Sequence, residues 1–155
     1  MLLELCKNGI LSRFYIAELK TVQLTKEQAK AFYKEHEGKD FYNLLVNFIS
    51  SRKVVAIRIE YPEYEEDFIP RFRQFIIGDT DPNKALPGTM RYYFGSKTEF
   101  AEGLPANGVH SSDSRESAKR ELSFFFPNGD YRCWHYKTYE ENLSPLFFQL
   151  ILIIQ

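Results

Sequence analysis

The spacing of apolar residues divides the chain into short elements. From Phe14, FYIAELKTVQL alternates apolar and polar positions, the period of a strand. At Leu24 the period lengthens, and LTKEQAKAFYKEHEG reads as a helix. Thr25 and Gln28 have the capping-box spacing at its start, and Gly38 stops it. FYNLLVNFISS is a second amphipathic helix. KVVAIRIE, β-branched and almost continuously apolar, is a buried strand. EEDFIPRFRQFIIG is helical with Pro70 near its start, where a missing N–H costs least. DTDPNKALPGT is a loop by its prolines, glycine and aspartates, and a short helical turn follows near Thr89–Tyr93. GSKTEFAEGLPANG is a second loop, and GVHS a short strand. SDSRESAKRELSFFF is a helix with Asp113 or Ser114 as N-cap and Glu116 in its first turn. MLLELCKNG, at the front, reads as a short helix ended by Asn8–Gly9, and DYRCWHYKTY as a small strand.

Interleaved strands and helices without a repeat predict an α+β sandwich with helices on one face of the sheet. The segment LSPLFFQLILIIQ breaks with everything before it. It is apolar and uncharged, yet shorter than the roughly 18 residues a membrane span requires.

Composition narrows the function classes. A chain of 155 residues suits one domain with a real core. A net charge of −1 provides no basic field, so no specific nucleic-acid partner is expected. Cys6 and Cys133 lie far apart and form no metal-spaced pair. With no leader pattern at the start, a reduced, cytoplasmic setting is the simplest expectation, and a membrane role is not expected.

The candidate chemistry lies in NGVHSSDSRESAKRE. Neutral imidazole is a good nucleophile toward phosphorus if its far nitrogen is held by an acceptor. Glu121, in the following helix, can fold back to hold His110. Ser112 points the same way along an extended segment and is placed to bond a phosphate carried there. The plainer alternative is a buried histidine bonded to a helix end. Upstream, GDTDPNKALPGTMR supplies Thr80 and Arg91, and arginine grips phosphate oxygens with a planar fork. The usual glycine-rich phosphate loops are absent, so side chains would have to hold a nucleotide. FYKEHEGKDFYNLLV adds Tyr33 and Phe41, either as base-stacking rings or as ordinary core.

Together VQLTKEQAKAFYKEHEGKDFYNLLVNFISS, VVAIRIE, GDTDPNKALPGTMRYYFG and NGVHSSDSRESAKRELSFFF resemble the nucleoside diphosphate kinase family, in family order, over roughly Phe14 to Pro127. The resemblance implies a ferredoxin-like α+β fold: an antiparallel sheet with helices packed on it. It implies ping-pong transfer of a γ-phosphate from a nucleoside triphosphate to a nucleoside diphosphate, with Mg²⁺ held mainly by the phosphates rather than by protein ligands. By the same resemblance His110 is the phosphorylated nucleophile, Glu121 orients it, Ser112 supports the phosphohistidine, and Tyr33 lies beside the reactive centre. Arg91, Thr80 and Arg73 hold phosphates, Asn107 meets the sugar hydroxyl, Phe41 stacks on the base, and Leu45 joins the nucleotide-binding set. A homo-oligomer is implied, assembled through sheet edges and the DPNKALPGT loop.

The chain departs from the family pattern. The family opens with an interior strand ending in Lys-Pro-Asp, whose lysine binds phosphate and sugar. This chain has no such segment near Met1 and starts inside what corresponds to the first helix. Each buried unpaired backbone group costs about 1–3 kcal/mol, against a domain stability of roughly 5–15 kcal/mol. The expectation is therefore a truncated product or a sheet repaired by other means. The family arginine expected four residues before Gly78 is Gln74, with Arg73 one position off, and an insertion near YPEYEEDFIP is a reason for a register shift. ILSR is extra sequence at a helix-to-strand junction.

The domain reading is 1–142 as the kinase-like unit and 143–155 as an apolar tail of unknown role. Three accounts of Leu146–Ile154 stay open: a translated artefact, an anchor to a membrane or partner, or a strand in the vacant slot. Two functional readings follow. One is an active nucleoside diphosphate kinase. The other is a truncated or non-catalytic member that binds nucleotide or a partner chain.

Overall fold

The computed structural model describes residues 14–61, 68–95, 99–101, 104–105, 107–128 and 148–154. The expectations for MLLELCKNG, DYRCWHYKTY and most of YPEYEEDFIP lie outside these residues.

Strand β1 (Tyr15–Val22) pairs antiparallel with β2 (Val54–Tyr61), from Tyr15 opposite Glu60 to Val22 opposite Val54. Between them run α1 (Lys26–Phe32), a 3₁₀ turn (Lys34–His36) and α2 (Tyr42–Ser50). The capping box of α1 is formed: Gln28 N–H donates to Thr25 Oγ1 (3.2 Å) and Thr25 N–H to Gln28 Oε1 (2.9 Å). The α-helix nevertheless stops at Phe32, short of the expected Gly38. Three-residue bonds take over, His36 N–H to Tyr33 O and Glu37 N–H to Lys34 O. Side chains three apart eclipse in this tighter turn, so Tyr33 and His36 come into ring contact at 5.9 Å.

Next come α3 (Phe68–Phe72), a π-helical turn (Arg73–Ile77), α4 (Met90–Phe94), β5 (Val109–Ser111) and α5 (Arg115–Phe125). A small hairpin, β3 (Glu99–Ala101) and β4 (Leu104–Pro105), lies within the segment expected to be a loop. The N-cap of α5 is Ser114 rather than Asp113. It shares a reciprocal box with Ser117, whose N–H donates to Ser114 Oγ at 3.1 Å.

The tail segment is β6 (Phe148–Ile154), in the interior of the sheet. The strand order is β1-β2-β6-β5, with every neighbouring pair antiparallel. Seven β6 residues pair with β2, from Phe148 opposite Tyr61 to Ile154 opposite Val55, and three pair with β5. The strand account of the tail is the one the fold adopts. An uncharged run of this length offers unbroken backbone donors and acceptors to both neighbours.

Helices cover both faces of β2 rather than one. Ile57 and Ile59 enter a cluster with Phe68, Phe72, Ile77 and Met90, while Val54 and Ala56 enter another with Phe32, Val46, Ile49, Leu122 and Phe125. Successive strand residues face opposite sides, so a strand buried on both reads as a continuous apolar run. Among the described residues no helix is long and apolar enough to cross a membrane.

Candidate active site

His110 stands on β5, opposite Ile153 of β6, which is itself opposite Ala56. Gly108 brings it there. Its φ of +67° is left-handed, and a Cβ on it would run into the Phe94 carbonyl at the end of α4. The imidazole is about one-third exposed and packs edge-on against Phe32, ring centres 5.5 Å apart.

Its Nε2 lies 3.1 Å from Oε2 of Glu121, close but off the axis of a well-formed hydrogen bond. Such contacts in unliganded sites commonly tighten when substrate arrives. With Nε2 facing the carboxylate, Nδ1 is the other face of the ring. Glu121 is buried, 2% exposed, because the α5 stripe of Leu122 and Phe125 carries it into the core. Ser112, fully buried, donates its hydroxyl to the same Oε2 at 2.7 Å. The sequence expectation aimed Ser112 at a phosphate, whereas in the structure its hydroxyl is directed to Glu121. Tyr33 is buried nearby. Desolvation, and then the Glu121 charge, raise its phenol well above the ordinary value, so it stays protonated.

Two of the expected phosphate-binding groups, Arg73 and Arg91, bond to β5 at the residues that flank His110. Arg73 donates Nη1 to the Ser111 carbonyl and to Ser111 Oγ (3.2 Å). Arg91 is 4% exposed and donates Nε to Val109 O (3.1 Å) and Nη1 to Gly78 O (2.9 Å). Burial, and then the charge of Arg73, push Arg91 down to about 10, so it remains charged at neutral pH. Arg73 and Thr80 line an open cleft of about 580 Å³ with Pro70, Gln74, Asp79, Lys84 and Asp113. His110, Arg91 and Phe41 are not among the described residues on that wall. The Asp113 carboxyl is held low by Ser117 and by Arg73. Asn107, just ahead of His110, carries a buried Oδ1 that no donor among the described residues reaches.

Phe41 begins α2 half-buried, its ring 5.7 Å from that of His36 with the Lys39 ammonium 5.6 Å above it. Leu45, one turn on, packs at the edge of the Val46–Ile49 cluster. Sequence reasoning did not single out Ser111, Glu35 or Arg120. Arg120 grips Glu35 with both Nη atoms, one contact at 2.8 Å, and reaches Glu121 Oε1 at 3.4 Å. Only its place beside Glu121 hinted at this; Glu35 lies 85 positions away along the chain. Among the described residues no three histidine, cysteine or acidic side chains converge to hold a metal.

A family model described as nucleoside diphosphate kinase matches residues 5–131. Among solved structures the chain is similar to the nucleoside diphosphate kinase of Aquifex aeolicus, 36% identical over 81% of this chain and 80% of that one, with a TM-score of 0.62. It is also similar to the halophilic enzyme of Halobacterium salinarum, solved in complex with CDP. That pair is 31% identical over 81% of this chain and 74% of the other, with a TM-score of 0.59.

Proposed function

The chain belongs to the nucleoside diphosphate kinase family, and from that premise we propose that it transfers a γ-phosphate between nucleotides through a phosphohistidine at His110. The observation that carries this reading is the buried Ser112–Glu121 pair set against one nitrogen of a partly exposed histidine. Glu121 holds the ring proton at Nε2, which leaves the lone pair on Nδ1. Nδ1 attacks the γ-phosphorus in line; the N–P bond forms, the bond to the β-phosphate oxygen breaks, and the nucleoside diphosphate leaves. A second nucleoside diphosphate reverses the step and takes the phosphoryl group. The Ser112 bond keeps the carboxylate fixed as charge builds on the ring.

In this reading Arg73, Arg91 and Thr80 bind or frame phosphates, Asn107 Oδ1 accepts a sugar hydroxyl, and Phe41 with Leu45 carries the base. Protonated Tyr33 closes the reactive centre. Mg²⁺, when bound, would be held mainly by the nucleotide rather than by protein ligands and would offset the phosphate charge. A homo-oligomer in a reduced cytoplasmic setting belongs to the same reading. The β1 edge leaves Ile16 and Leu19 half-exposed, a surface suited to a second copy. Sedimentation that stays monomeric at high concentration contradicts that part.

The second reading, a nucleotide-binding member with little transfer, is favoured by one feature: β6 occupies the interior slot yet carries no lysine. Incubation with γ-³²P-labelled nucleoside triphosphate decides between them. Acid-labile label is expected on the wild type and on His135→Ala, a control at the histidine of DYRCWHYKTY, and none on His110→Ala. Nucleotide binding without any label supports the second reading, and label that survives His110→Ala overturns the first.

A further inference from the structure

Resting on the phosphohistidine reading, we propose that Arg120 and Glu35 are positioning residues that hold the Glu121 carboxylate in register with His110 and tie it to the aromatic turn ahead of Phe41. The two oxygens of Glu121 are divided. Oε2 takes Ser112 (2.7 Å) and faces His110 (3.1 Å), while Oε1 faces Arg120 Nη2 at 3.4 Å. That same Nη2 donates to Glu35 Oε1 at 2.8 Å, and Nη1 pairs with Glu35 Oε2. One nitrogen therefore bridges a buried carboxylate and an exposed one. Glu35 sits in the 3₁₀ turn between Tyr33 and Phe41, and its partner Arg120 lies on α5.

The physical need comes from burial. A carboxylate 2% exposed beside Phe125 and Leu122 is costly to keep charged unless a cation lies near it. Arg120 is that cation, and the two-pronged grip of Glu35 prevents its side chain from swinging into solvent. An exposed pair by itself contributes little to stability; the consequence lies in what Nη2 touches. The two groups reinforce each other: the Arg120 bond holds the Glu35 carboxyl low, and Glu35 raises the guanidinium.

The test uses the full chain and reads position as well as rate. Single-turnover labelling at varied nucleotide concentration separates the maximal rate from the half-saturating concentration. Arg120→Ala and Glu35→Gln are each expected to slow labelling about ten-fold with little change in half-saturation. The double variant is expected to be no slower than Arg120→Ala, and Arg120→Lys to recover part of the rate. In parallel, ¹⁵N NMR of the imidazole reports its tautomer. The wild type is expected to hold the proton on Nε2, and both single variants to show a mixture. Unchanged tautomer and rate in the single variants overturn the proposal, as do losses that simply add in the double. An absence of label on the wild type, together with a tautomer that still shifts, sinks the phosphoryl-transfer reading and leaves the positioning pair standing.

Discussion

At the level of single residues, the candidate site is a small buried acid–hydroxyl pair behind a partly exposed imidazole. Its polar groups were legible because NGVHSSDSRESAKRE concentrates them in one short stretch. What each touches was not legible, since Ser112 and Glu121 meet only once α5 folds back on β5. Ser112→Ala leaves a buried carboxylate one donor short. The expected cost is about 1–3 kcal/mol by thermal unfolding, together with slower labelling of His110. Gly108→Ala forces a left-handed φ on a side chain that meets the Phe94 carbonyl. A loss of about 1–3 kcal/mol is expected, and unchanged melting would show that the turn relaxes freely.

At the level of elements, the π-turn bears on Arg73, which stands one position off the family spacing. Gly78 N–H donates to Arg73 O at 2.8 Å across five residues, so the turn absorbs one residue more than an α-helix does. Arg73 then occupies the place that a residue four before the glycine would take in a regular helix. Its Nη1 reaches Ser111 beside His110, while Gln74 is exposed. Arg73→Ala is therefore expected to weaken nucleotide binding by about ten-fold, and Gln74→Ala to leave it unchanged. Fluorescence titration with a nucleoside diphosphate checks both, and equal losses would contradict the register argument. Spacing alone did not reveal this turn, because a segment of five residues is too short for the phase shift of one extra residue to show in the apolar pattern.

At the level of the whole molecule, the sheet depends on β6. Removing residues from Pro145 onward strips seven partners from β2 and three from β5. Several kcal/mol are expected to go with them, on the order of ten degrees or more in Tm. A truncated chain that melts with the full one would place the tail outside the sheet. Acid should weaken the fold as well. Glu35 and Asp113 are held low by Arg120 and Ser117, so their contribution is present above the ordinary carboxylate values and fades as pH falls through the lowered ones. His36 is pushed down mainly by burial, so the folded form resists its protonation as pH drops through its ordinary value of 6.5. All three act in the same direction, and melting temperature is expected to decline from about pH 6.5 downward. Glu35→Gln should flatten the carboxylate part of that decline.

From the amino-acid order alone came the α+β class, β1, β2, the α1 capping box and the family resemblance, with His110, Glu121 and the phosphate-side residues that it implies. These rest on short-range periodicity, on end signals and on motifs contiguous in the chain. Tertiary structure decided the rest. It set β6 between β2 and β5, because strand pairing satisfies backbone groups wherever in the chain the segment lies. It covered both faces of β2, turned Ser112 toward Glu121, and brought Glu35 to Arg120 across 85 positions. Contacts between residues so far apart in the chain depend on how the elements pack, and no local pattern encodes that.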